Sequence, residues 1–527
     1  MKPSDHIFFL IKSLSKTEKG YFNKFAQRHG IKANSNYLQL FKAIEAQDEY
    51  DEKLLDKKFN NSQLSGQIHV YKNYLYKLIL RALHNYYTGN TSTAKISELI
   101  HYSEILKERG LFIQAKKVLE QAKEIAEKYE KWELLLDVLK RLWDMFTDAE
   151  EFNKESEADV RKLYDEKKKV LSKLQLANEH YLYSSLFRIQ KRTKGIYNIP
   201  RDFDLYNNKL KLPVVDEKAL NSFELERVYY WSCSLYYDAQ SDFVKSLEYL
   251  KKILALFNKH PYQVDENLQF YIHCLFATSA KAENCNDEKS YQYAVEELDK
   301  LHKTLADTDR FVPVSLWLKI SFYETKIFYS YRKRMFREIK ALDEEVRKIK
   351  LIEEVEKYSI TRGQQFLTSR KELMTLYFGT LLLEGGYYTE SIYWLNMLAA
   401  TKGDVAKSGP RFFAKLVLTI AYFDLKKWDM FSNTALHFMR IISKAPAQYP
   451  FEKNFINNLT KLSKANSTEE KDKLYHRMEE DITKYSTLKK HNQSFRYFDF
   501  EDWIEGKLKR KPMWEVLTAR PYGRNSK

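Results

Sequence analysis

The chain has 527 residues but only 14 glycines and 10 prolines, under half the usual share of roughly 12%. Strand-rich sandwiches and barrels spend such residues on tight turns, so an all-β fold is not expected. Cysteine is scarcer still. Cys233, Cys274 and Cys285 are odd in number and show no framework spacing, which fits a reducing compartment and not a disulfide scaffold. Long apolar runs are missing as well. The longest uncharged stretch, Asn267–Ala280, has 14 residues and includes Gln269 and His273, short of the roughly 20 that a spanning helix needs. Ile7–Ile11, flanked by Asp5 and Lys12, is shorter than the apolar region of about 7–15 residues in a signal peptide. Together these shortages predict a cytoplasmic protein with no membrane insertion.

What the chain does have is apolar mass. Hydrophobic residues make up 44% and aromatic residues 15%, enough for a core and too much for a disordered chain. Apolar positions recur at helical spacing nearly throughout and period-two alternation is scarce, so the fold class is all-α. Residues 1–90 read as an N-terminal helical module. Ser15-Lys16-Thr17-Glu18 is a capping box that opens a helix through Tyr21, Phe22 and Phe25, with Gly30 as its stop. Helices over Ser35–Ala46, Glu52–Phe59 and about Gln63–Tyr87 follow. The pattern lapses between Tyr87 and Ser92, which marks a boundary. After Ala445-Pro446, residues 447–527 return to helices over Phe451–Ser463, Glu469–Leu488 and Phe500–Leu508.

Residues 91–446 carry a recurring pattern. One copy reads Leu99, Tyr102, Ser103, Leu106, Gly110, Phe112, Ala115, Leu119, Ala122; a second reads Tyr230, Cys233, Ser234, Tyr237, Ser241, Phe243, Ser246, Leu250, Ile253. A third reads Phe378, Gly379, Leu382, Gly386, Tyr388, Ser391, Leu395, Leu398, and a fourth runs from Leu418 to Phe438 around Trp428. Shorter copies surround Tyr291 and Phe336. The pattern resembles that of tetratricopeptide repeats, in which two antiparallel helices meet through a small-residue turn followed by an aromatic and small or apolar residues. The units are longer than the family's period of about 34 residues. The resemblance implies an α-solenoid of helical hairpins, with residues 1–90 and 447–527 as its end caps. It also implies that Phe112, Phe243 and Tyr388 are wedged between paired helices. Further helices are expected over 131–149 and 157–193, with a loop between Ile196 and Val215 bracketed by Pro200 and Pro213.

Sequence signatures of chemistry are missing. There is no phosphate-cradling Gly-x-x-x-x-Gly-Lys loop, no dinucleotide fingerprint and no nucleophile elbow. None of the 12 histidines precedes a glutamate, so the helical zinc-protease motif is absent. His273 and Cys274 diverge by about 100° on a helix, a poor chelating pair. The runs Asp343-Glu344-Glu345 and Glu479-Glu480-Asp481 fan around a helix, where acid–base catalysis needs groups converging on one atom; they read as solvated faces. No catalytic, cofactor-binding or metal-ligating residue is expected.

Two surfaces remain. In tetratricopeptide-like units the first helix of each pair lines the concave groove. The matching positions here are Trp231 and Leu235, Leu376 and Thr380, and Leu416, Ile420 and Phe423. They form either the core or an apolar groove for a partner helix or strand. The net charge of +16 resides at the ends, +6 in residues 1–90 and +10 in 361–527, with zero between. Arg332, Lys333 and Arg334, and Lys507, Lys509, Arg510 and Lys511, form a candidate basic patch. Three functions compete: a non-enzymatic scaffold that recruits a protein or peptide partner; a nucleic-acid or ribosome-associated protein using its basic ends; and a regulator resembling peptide sensors that place a helix-turn-helix before tetratricopeptide-like repeats. For the last, Ala26 and Gly30 have the helix-turn-helix spacing but Asn36 stands where an apolar residue belongs.

Overall fold

The computed structural model describes residues 5–28, 35–47, 50–59, 67–87, 91–147, 154–194, 220–240, 242–305, 312–362, 365–400, 409–443, 449–486 and 494–520. Of these, 87% are helical and none lies in a strand. The chain divides into two compact units, residues 1–291 with 307–314, and residues 292–306 with 315–527. The expected boundaries at 90 and 446 lie outside the described residues, as do Gly30, Ser241 and the loop containing Pro200 and Pro213.

In the first unit, five helices (His6–Ser13, Lys16–Arg28, Asn36–Glu45, Glu52–Phe59 and Ile68–Tyr87) close around Ile11, Phe22, Phe41, Leu75 and Ile79. The capping box forms as the sequence predicts: the Ser15 N–H donates to Glu18 Oε2 at 2.7 Å and the Glu18 N–H to Ser15 Oγ at 3.1 Å. Helices Ser92–Glu108, Phe112–Lys128, Trp132–Thr147 and the 41-residue Lys154–Lys194 follow. Phe223–Ala239, Phe243–Lys259, Tyr262–Glu266 and Leu268–Asn284 continue the unit.

The second unit holds Phe336–Lys348, Leu351–Arg362, Gln365–Glu384, Tyr388–Ala399, Gly409–Asp424, Trp428–Ile442, Pro450–Leu462, Thr468–Ser486, Ser494–Tyr497, Phe500–Leu508 and Met513–Thr518, with residues 315–332 of the helix before them. Its core joins the hairpin helices to the C-terminal segment through Phe412, Ile420, Phe438, Phe455, Phe500 and Trp503.

One turn recurs in both units. The amide of Leu111 donates to the Leu106 carbonyl, Lys131 to Ala126, Asp242 to Tyr237, Asp287 to Ala282, Met335 to Ser330, Tyr387 to Leu382, Lys427 to Tyr422 and Lys511 to Gly506, all at 2.8–3.0 Å. This six-to-one bond is the Schellman helix stop, which puts the residue before the donor in the left-handed region. Glycine fills that position at Gly110 and Gly386, but Glu130, Asn286, Arg334, Lys426 and Arg510 fill it elsewhere. That choice explains the glycine shortage. The turns are present, built largely from residues that tolerate the left-handed conformation at a cost of about 1–2 kcal/mol each.

The wedge of each hairpin lies three residues beyond the expected one. Phe112 is 48% exposed, Trp428 is 43% exposed, and Phe243 and Tyr388 are half-buried. Each is the first residue of its helix and sits at the rim; Phe336, in the same position, is buried. Deep burial falls five residues after the turn, at Ala115, Ser246, Ile339, Ser391 and Phe431. The position 12 residues earlier is buried as well, at Ser103, Ser234, Ile327, Gly379 and Thr419. The Ser246 hydroxyl donates to the Ser234 carbonyl at 3.0 Å and that of Ser391 to the Gly379 carbonyl at 2.6 Å. Tyr291, expected from the sequence as a plugging aromatic like Phe112, occupies this deep position itself and is 1% exposed.

Candidate functional site

The seven candidate groove residues lie inside their own units. Leu376, Thr380, Leu416 and Ile420 are at most 1% exposed, and Trp231, Leu235 and Phe423 are 8% exposed. Trp231 packs edge-on against Phe270 at 5.3 Å and Phe423 against Phe431 at 5.5 Å. Leu376, Leu416, Ile420 and Phe423 belong to the second unit's core. Of the two readings of this face, burial fits the core, and the open groove is corrected accordingly: first helices with apolar residues on every side pack on several neighbours at once.

The candidate basic residues make contacts within the second unit. Lys507 pairs with Asp424 at 2.6 Å and lies 5.1 Å over the Trp503 ring. Lys509 pairs with Glu505 at 2.5 Å, Arg510 with Asp472 at 2.8 Å and Lys511 with Glu515 at 3.8 Å. Arg334 folds over the Tyr331 ring at 4.8 Å and shares its surroundings with Glu384 and Asp499. Arg332 is half-buried, and Lys333 lies 5.8 Å over Tyr329. These cations are matched to acids and rings of their own unit, which leaves less unspent charge for phosphates. Lys191, Arg192, Lys194, Arg524 and Lys527 lie outside the described side chains.

Carboxylates are likewise engaged. Glu130 accepts from the Phe223 and Glu224 amides at 3.0 and 2.7 Å, capping a helix 93 residues away. Glu266 accepts from the Ser92 amide and hydroxyl at 2.9 and 2.7 Å and pairs with Lys131 at 3.2 Å. Asp343, read from sequence as solvated, is fully buried: it accepts from the Trp394 indole at 2.6 Å and pairs with Arg347. His180 is buried beside Tyr229, with ring centroids 5.4 Å apart, and burial pulls its pKa down to about 4. Among the described residues, no group of three or more His, Cys, Asp or Glu side chains has the arrangement of a metal site, and no helix is long and apolar enough to cross a membrane.

An exposed apolar surface lies on the helix Lys154–Lys194. Its inner face repeats every seven residues through Leu163, Val170, Ala177 and Ser184, all buried in the first unit. A second stripe runs through Tyr164, Leu171, Leu182 and Ile189, each 54–57% exposed. Beside Leu171 and Leu182 the same helix carries Lys168, Leu174, Gln175 and Asn178 around a shallow, open depression. At about 100° per residue these four side chains fall on one face of the helix, and an exposed apolar face is the form of a helix-pairing surface. The sequence reading found this helix but not its second stripe, because Lys168, Gln175 and Asn178 dilute the apolar signal. No known protein-family model, curated protein or solved structure matches the chain.

Proposed function

We propose that the protein is a non-enzymatic scaffold, an α-solenoid of tetratricopeptide-like hairpins that recruits a protein partner. The reading rests on one observation: the outer stripe Tyr164, Leu171, Leu182 and Ile189 presents large apolar side chains along one face of one helix, with Gln175 and Asn178 between them. Single exposed apolar residues are ordinary, but a row of them along one face of one helix marks an interaction surface. The partner that fits is an amphipathic helix, its apolar face on Leu171 and Leu182 and a polar residue against Gln175 and Asn178 to set the register. The recurrent Schellman hairpins support the repeat architecture, and the internal pairing of the Lys507–Lys511 cations favours a protein partner over nucleic acid.

The test is affinity purification from the native cell of the wild type and of a Leu171→Asp/Leu182→Asp variant, each with and without nuclease. Both substitutions are on the exposed face, where changes usually stay within about ±0.5 kcal/mol, so folding should be retained. A partner that survives nuclease and is lost from the variant supports the scaffold. Partners released by nuclease from both proteins alike would replace it with the nucleic-acid reading.

A further inference from the structure

The C-terminal segment 494–520 is fastened to the second unit at two places of different character. One is a neutralised pair: Asp424 takes Lys507 at 2.6 Å and the Trp503 indole at 3.0 Å. The other is crowded with acid. The Asp499 amide donates to Glu384 Oε1 at 3.3 Å, and Asp499 Oδ1 caps the Asp502 amide at 3.2 Å. Glu384 is 1% exposed and Asp502 is 2% exposed. Trp514 closes the same corner, lying where a Cβ on Gly386 would come within 3.3 Å of its Cδ1.

The groups facing Glu384 are Tyr331 at the end of one helix, Arg334 in the turn after it, and Asp499. Those facing Asp502 are Asp499, Arg334 and Arg520. Arg520 pairs with Asp502 at 2.5 Å but also with Glu505, which in turn holds Lys509. With every carboxyl ionised, the corner would hold Glu384, Asp499 and Asp502 against Arg334 and a shared Arg520. A buried charge without a full partner is costly.

We propose that segment 494–520 is a proton-dependent clasp, seated on the end of Gln365–Glu384 while Glu384 and Asp502 hold protons and loosened as they lose them. Burial first, then the charge of Asp499, pushes Glu384 up to about 8, and the same two causes raise Asp502. A solvated glutamate ionises near 4.3. Between those values the seated form binds a proton that the loosened form releases. Each pH unit then favours loosening by up to about tenfold per carboxyl, and the effect saturates once the seated carboxyls ionise too.

Hydrogen–deuterium exchange of the full chain at pH 5.5 and 7.5, corrected for intrinsic rates, tests this. The expected result is a rise in opening of up to about 100-fold per carboxyl for amides of 494–520, with those of Ile68–Tyr87 in the first unit unchanged. Glu384→Gln and Asp502→Asn, examined separately, should each flatten the dependence; should one fail to fold, the other and the wild type still decide. Equal opening at both pH values in the wild type, or an undiminished dependence in the folded variants, overturns the clasp.

Discussion

Gly379 and Gly20 show how one residue type carries opposite meanings. Both lie in helix interiors, where replacing glycine by alanine is worth up to about 1 kcal/mol on backbone grounds. Nothing lies within 4 Å of a Cβ added at Gly20, whereas at Gly379 that atom would meet the Leu395 side chain at 2.5 and 2.7 Å. Gly379 faces the hairpin's deep position and accepts the Ser391 hydroxyl. Gly20→Ala should therefore stabilise the protein by a few tenths to about 1 kcal/mol, and Gly379→Ala should destabilise it by about 1–3 kcal/mol through overpacking. Urea midpoints at constant m-value measure both; two changes of the same sign would mean that the hairpin is looser than described.

At the scale of elements, helix starts were the most legible feature of the sequence. Ser15 with Glu18, and the helices Glu52–Phe59 and Phe500–Leu508, stand where local capping and periodicity put them. The hairpin wedge is less legible: at Phe112, Phe243, Tyr388 and Trp428 the deeply buried position is the small or apolar residue three beyond the aromatic that follows the turn. Glu130 was illegible for another reason: its partners, the Phe223 and Glu224 amides, are brought to it by folding alone. Ser222 caps the third amide of that helix, that of Leu225, at 3.4 Å. Removing the long-range cap by Glu130→Ala should cost about 0.5–2 kcal/mol, the range for capping groups. Thermal unfolding of the variant measures it, and a loss below about 0.3 kcal/mol would show that water satisfies those amides equally well. Of the candidate site, the sequence showed the apolar first helices and the basic ends but not their burial and pairing. Burial depends on distant neighbours, and some of the pairings do too, such as Asp424 for Lys507 and Asp472 for Arg510.

The chain divides into two all-α units, and the helix Lys154–Lys194 of the first carries an exposed apolar stripe. The central claim is that the outer face of Lys154–Lys194 is where a partner helix docks. The measurement that tests it most directly is site-specific photo-crosslinking in the native cell, with a photoreactive phenylalanine analogue at position 171, at 182, or at the solvent-facing control Arg161, whose side chain is 76% exposed. The account expects one protein species crosslinked from both 171 and 182 and not from 161, with its crosslinked peptide forming an amphipathic helix. Equal, diffuse crosslinking from all three positions, or capture of nucleic acid from 171 and 182, would contradict it.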